Sequence, residues 1–227
     1  MKRTALLLLC LLATVLSFAQ AKYIFYFIGD GMGTNQVLAS EMYLAELEGR
    51  IGRKPLLMTQ FPYSGQVATF SASNGITDSS AAGTCLATGT KTNNGTLGLS
   101  PAQDTLRTVA EILQKQGYGI GIMTTVAIDH ATPAAFYAKV PDRHMYYQIG
   151  TQLAYTGFDF FGGAGFHQPA DKHNKKASNL YDLCEKQGYT IAHGYDDAQT
   201  KLSADKLILT QATDGIDRTK KADCLPY

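Results

Sequence analysis

The chain has 227 residues, 45% of them hydrophobic and 17% charged, with 22 Gly, 7 Pro and no Trp. That composition excludes collagen-like and disordered classes, and a chain of this length can bury roughly 70% of its unfolded surface, so neither metals nor disulfides are needed merely to hold a core. The net charge of +1 includes Lys2 and Arg3; without them the 20 basic residues become 18 against 19 acidic ones, a balance of −1 that leaves no basic field for nucleic acid.

Residues 1–21 read as a secretory signal peptide: a basic start, an apolar run from Ala5 to Phe18, and Ala19-Gln20-Ala21 in the small-x-small form of a cleavage site. The apolar run is too short for the ~20 residues of a membrane span, so no transmembrane anchor is expected after cleavage, and the protein is expected in the periplasm or outside the cell. The mature chain, 22–227, keeps Cys85, Cys184 and Cys224. A Cys184–Cys224 bridge and three free thiols both fit an oxidising compartment.

Tyr23 to Ile28 is an unbroken apolar and aromatic run ended by Gly29, the pattern of a strand buried on both faces. A helix follows, capped by Asn35, with Val37, Leu38, Met42, Leu44 and Leu47 on its apolar face and Gly49 as its stop. Gly65 to Phe70 reads as a second strand. Ser79 to Thr88 is a helix of small residues, able to approach its neighbours closely. Asp104 or Thr105 caps the next helix, which buries Leu106, Val109, Ala110, Ile112 and Leu113 and closes at Gly117; Tyr118 to Thr124 then returns as a strand. Pro133 opens a helix, Asp142 caps another, and Phe158 to Phe161, Leu180 to Gln187 and Tyr189 to Ala192 continue as strand, helix and strand. The alternation predicts an α/β fold with a mostly parallel central sheet flanked by helices. After it comes a polar stretch with no closing element expected.

Three segments carry chemistry. Asp30, in Gly29-Asp30-Gly31-Met32-Gly33, stands at the carboxyl end of the first expected strand, where open α/β sheets bind ligands; its oxygens suit hard cations. A dinucleotide fingerprint is excluded, since Thr34 occupies the position where the third glycine would fall. Ile76 to Thr84 places Ser79 at the start of a helix, where free N–H groups and the helix dipole favour a phosphate. Asp129-His-Ala-Thr-Pro133 offers His130 and Thr132 after a later strand, and Arg143 provides a planar fork for phosphoryl oxygens. Each residue alone also fits a plain structural role: Asp78, Ser79 or Ser80 as a helix cap, His130 as a loop histidine, Thr132 as a cap, Arg143 as a solvated charge.

Together, Phe27-Ile-Gly-Asp-Gly-Met-Gly33, Ile76 to Thr84, Asp129-His-Ala-Thr-Pro133 and Arg143 resemble the alkaline phosphatase family in order and spacing, from about Tyr23 to Gln168. The resemblance implies a phosphate monoester hydrolase with zinc and magnesium, acting through phosphoserine at Ser79. It implies Asp30 bridging the metals, Thr132 on magnesium, His130 in the hydrogen-bonded surroundings of that ion and Arg143 gripping phosphate, and it suggests a homodimer. Such enzymes reach accelerations of ~10²¹, roughly 29 kcal/mol, more than one serine and one arginine supply, whereas two close cations can make up the difference.

The sequence also departs from the family. Apart from His130, its histidines are His144, His167, His173 and His193, and none lies in an Asp-x-x-x-His or Asp-His pattern expected of the later zinc ligands. The expectation is therefore an amino-terminal part of a longer phosphatase, its α/β domain incomplete and its own activity in question. A phosphate- or metal-binding remnant without turnover is the alternative, and a superfamily phosphodiesterase a further one, although Ser79 and Arg143 favour a monoesterase.

Overall fold

A computed structural model describes residues 21–211; the leader up to Gln20, and Cys224, lie outside them. The chain divides into two units, Met1–Phe61 and Pro62–Tyr227.

In the first unit, Tyr23 to Ile28 does not form the expected strand. The run has no regular secondary structure, and Phe27 is 88% exposed. A strand needs a neighbour to take its N–H and C=O groups, and the described residues of this unit contain no other strand. Helix α1, Thr34–Glu46, starts two positions earlier than expected: Gly33 is its cap in place of Asn35, and the Gln36 side chain accepts from the Gly33 N–H at 3.1 Å. Its stop is Gly49, at φ 67°, as the sequence indicated. The face expected to be buried is not: Leu38, Met42 and Leu47 are exposed, and Glu41 and Ala45 are covered instead. The cause is a polar clamp. Glu41, 1% exposed, accepts from Leu56 N at 2.9 Å, Thr59 Oγ1 at 2.5 Å and Arg53 Nη1 at 3.3 Å, fastening the 3₁₀ turn Leu57–Gln60 to α1. Those bonds, the one from Thr59 foremost, hold its carboxyl below the usual range.

The second unit holds the sheet. Its first expected strand, Gly65 to Phe70, is also absent. The carbonyls of Ala68 and Phe70 go to the Lys91 ammonium, which sits 3.8 Å from the Phe70 ring centroid. Four short strands form instead: β1 Gly121–Met123, β2 Phe160–Gly162, β3 Thr190–His193 and β4 Leu207–Thr210. They pair in the order β1-β2-β4-β3, all parallel, with Phe161 and Ile191 both in register with Ile208. β4 lies in the stretch where no closing element was expected. Its signal was local all the same: Leu207-Ile-Leu-Thr is rich in strand formers, with Ile208 and Thr210 buried.

The helices are α2 Ser79–Thr88, α3 Val109–Lys115, α4 Ala131–Ala134, α5 Tyr146–Ala154, α6 Leu180–Lys186 and α7 Gly194–Thr200. The cap of α3 is Thr108 rather than Asp104 or Thr105. Thr108 Oγ1 accepts from Glu111 N, and Glu111 Oε2 accepts from Thr108 N at 2.7 Å, the reciprocal pair of a capping box. Asp104 closes a turn with Ser100. Of the expected α3 core residues only Ala110 is buried, with Leu113 packed partly on the core; Val109 and Ile112 face solvent. Asp142 likewise is not the cap of α5, which Met145 precedes; it accepts from His144 N at 2.9 Å.

The core gathers Ile149 and Leu153 of α5, Leu180 and Cys184 of α6, and Phe158, Phe161 and Ile208 of the sheet region. Cys184 is a free thiol whose pKa burial pushes up to about 12, so it serves as a small apolar side chain. The close approach expected of α2 is present: a methyl added at Gly83 would lie 2.9 Å from Ala135 Cβ and 3.6 Å from Thr132 O. Gly83 thereby lets the serine-bearing helix settle against the segment that carries Thr132.

Candidate functional site

The chemistry-bearing residues of the second unit sit on loops and helix starts. Ser79 is the first residue of α2, half-buried. The cap is its neighbour Asp78, which settles the choice the sequence left open. Asp78 Oδ1 accepts from Ala81 N at 2.9 Å, and Oδ2 accepts from Ser80 Oγ at 2.6 Å, Gly95 N at 3.0 Å and Arg143 Nη1 at 3.1 Å. Arg143 is thus not a solvated charge. Its guanidinium is fastened to the residue beside Ser79, and its backbone N–H donates to Gly95 O at 2.7 Å.

Residues 95–98 act as a brace between these parts. Gly95 bonds Asp78 through its N–H and Arg143 through its C=O; Leu97 exchanges two backbone bonds with Val140, at 2.9 and 3.0 Å; Gly98 N donates to the buried Thr84 Oγ1 of α2 at 3.0 Å. Taken together, these bonds link the start and the body of α2, through residues 95–98, to the segment 138–143. The signal for this brace in the sequence is the turn at Asn93-Asn94-Gly95, which by itself does not say what the turn will bond.

Burial by itself would raise the Asp78 pKa, but the hydrogen bonds from Ser80, the Ala81 amide, Arg143 and Gly95 outweigh it and hold the carboxyl below its ordinary 3.8. Because the folded value is depressed, the stability this group contributes is complete above its ordinary value and is lost as pH falls through the lowered one. Asp78→Asn is therefore expected to lower stability at neutral pH by about 1–3 kcal/mol and to flatten the acid limb of the stability curve below pH ~4. Urea midpoints measured from pH 2 to 7 check this; a variant with the parent's acid limb would contradict it.

His130 caps α4 through its backbone, with Ala134 N donating to His130 O at 3.0 Å, and Thr132 is half-buried on α4 against α2. Between them and β1 lies Asp129, fully buried. It accepts from His167 N at 2.8 Å and Gln168 N at 3.2 Å, which joins the loop after β1 to the loop after β2. Burial raises its pKa, with the amide bonds opposing. Asp30 belongs to the first unit, exposed in a turn where Gly31 adopts φ 66° and Met32 N donates to Gly29 O.

Among the described residues no group of three or more His, Cys, Asp or Glu side chains is placed to hold a metal ion. In the second unit, His130 and Thr132 offer one imidazole and one hydroxyl, whereas zinc takes about four ligands and magnesium about six. These residues do not compose a metal site by themselves. No helix among the described residues is long and apolar enough to cross a membrane.

A parallel α/β sheet, a serine opening a helix and an arginine tethered to the cap of that helix define the class, an α/β protein with a cation held beside a helix start. The family described as alkaline phosphatase matches residues 21–158, and the chain belongs to it. Alkaline phosphatase 4 of Drosophila melanogaster is 34% identical over 133 residues, covering 55% of this chain and 22% of that protein. The tissue-nonspecific isozyme of Gallus gallus is 36% identical over 137 residues, 56% of this chain and 26% of that one. Among solved structures, Thermus thermophilus alkaline phosphatase aligns with a TM-score of 0.72 at 26% identity, covering 88% of this chain and 43% of that chain. A histidine-to-aspartate mutant of TAB5 alkaline phosphatase, with magnesium bound in its M3 site, aligns at 0.65 and 25% identity over 73% of this chain and 48% of that one. The alignments thus span about a quarter of these two curated relatives and less than half of these two structures.

Proposed function

We propose that this chain provides the serine and arginine of a phosphate monoester hydrolase, with Ser79 as nucleophile and Arg143 as phosphate-binding group. The observation that carries the reading is the Arg143–Asp78 ion pair at 3.1 Å, formed across 65 positions of sequence, which holds a permanent cation beside the residue that opens α2. A phosphoryl dianion there meets the positive end of the helix dipole and the remaining donors of the guanidinium.

In the proposed reaction the Ser79 Oγ attacks phosphorus, forming the Oγ–P bond as the ester P–O bond breaks. The serine proton passes to solvent and the leaving alkoxide takes one from water. A water molecule then attacks the phosphoserine, the Oγ–P bond breaks, inorganic phosphate leaves and Ser79 regains its proton. Two in-line displacements give net retention at phosphorus.

Dependence on zinc and magnesium, with Asp30 and Thr132 as oxygen ligands and His130 beside them, enters this proposal from the family, supported by the magnesium in the TAB5 mutant structure. Placement in the periplasm or outside the cell rests on the leader. The deciding experiment is acid quenching after mixing with a ³²P-labelled aryl phosphate monoester, followed by peptide mapping. Label on the peptide containing Ser79 is expected. Binding of inorganic phosphate with no label on Ser79 would overturn turnover and favour the non-catalytic alternative.

A further inference from the structure

Ser79 is aimed by the chain that enters α2, and residues 76–78 have no helix or strand of their own to set their path. One side chain spans them. Asn94 Nδ2 donates to Ile76 O at 2.9 Å while its Oδ1 accepts from Asp78 N at 3.3 Å, and its backbone N–H donates to Ser73 Oγ at 2.9 Å. The amide therefore bonds the two peptide groups on either side of Thr77, fixing the chain direction immediately before the serine. Asn94 is exposed, so its two side-chain bonds, rather than core packing, are what it contributes.

We infer that Asn94 is a positioning residue for the Ser79 hydroxyl, acting through residues 76–78 and touching neither phosphate nor the reacting atoms. The inference rests on the proposed role of Ser79. The division of labour follows from the contacts: Arg143 is held by Asp78 and by the backbone of Gly95, not by the Asn94 amide. Removing that amide loosens the nucleophile while leaving the arginine's own tethers in place. Small errors in attack geometry are costly to rate, with ~1 Å worth up to about 10²-fold, whereas phosphate binding depends on Arg143 and the helix start.

The test compares the parent chain with Asn94→Ala, and with Asn94→Ser should the alanine variant prove unfolded by circular dichroism. Two quantities are read: the rate of ³²P transfer from an aryl phosphate to Ser79, and the affinity for inorganic phosphate by equilibrium dialysis. The expected result is about ten-fold slower transfer, equivalent to ~1.4 kcal/mol, with phosphate affinity within two-fold of the parent. Unchanged transfer overturns the positioning role and leaves the Ser79 reading standing. Parallel loss of transfer and phosphate affinity also overturns it, because Asn94 would then support the whole site. A parent chain that never labels Ser79 overturns both.

Discussion

Ser79→Ala is expected to lower hydrolysis of an aryl phosphate monoester by about 10³-fold or more relative to the parent chain, with affinity for inorganic phosphate held within a few-fold. The two halves of this expectation have separate physical origins. The hydroxyl is the only group at the first position of α2 that can form a covalent bond to phosphorus, so its loss removes the covalent route altogether. Under the proposed reading, phosphate binding draws on the helix dipole and on Arg143, which is held by Asp78 and by the Gly95 carbonyl. The change should therefore fall on kcat. A variant within ten-fold of parental turnover would remove Ser79 from the nucleophile's role, and one that lost phosphate affinity to the same degree as turnover would show that the helix start itself had been disturbed.

Gly98→Ala is expected to destabilise the second unit by about 2–5 kcal/mol, the sum of left-handed backbone strain of ~1–2 and overpacking of ~1–3. Gly98 has φ 60°, and a Cβ there would stand 2.3 Å from Ala138 O and 2.9 Å from Lys139 Cγ. The first contact is with backbone, which cannot swing aside, since Val140 is bonded in both directions to Leu97 and Ala138 is fully buried. Relief requires the 95–98 brace to part from 138–143, the movement that also strains the bonds of Val140 to Leu97 and of the Arg143 N–H to Gly95 O. Gly95→Ala is the internal comparison. Gly95 has φ 87° but open space around the would-be Cβ, so only the backbone strain of ~1–2 kcal/mol applies. Urea midpoints of the two variants measure the difference, and equal midpoints would show that the Ala138 contact relaxes at no cost.

Local signals were read well where one segment suffices to decide the outcome. The helices α2 and α6 lie where the sequence places them and α1 within two positions of it, and Gly49, Gly117 and Gly188 follow their helices with the positive φ that a stop requires. Caps were less legible where several oxygens compete: Asp104 and Thr105 lost to Thr108, because only Thr108 has a glutamate three positions on to return the bond. The apolar runs at 23–28 and 65–70 show the opposite limit. Both have strand composition, yet neither is a strand, because pairing is decided by a neighbour and not by the run itself. β4, in a stretch read as polar, became a central strand because β2 and β3 lie on either side to pair with it.

Sequence alone determined the α/β class, the family, and the residue types able to handle phosphate, since each is written in short stretches whose chemistry is local. Ser79 and Arg143 could be named as candidates, but each retained a plain structural reading of equal standing. Only the tertiary structure decided that Asp78 is the cap, that its second oxygen reaches Arg143, and that Asn94 and Gly95 hold the approach to the serine. Apart from the cap bond itself, those contacts join segments 16 to 65 positions apart, and an ion pair or a long-range hydrogen bond has no signature in sequence until the fold brings its two halves together.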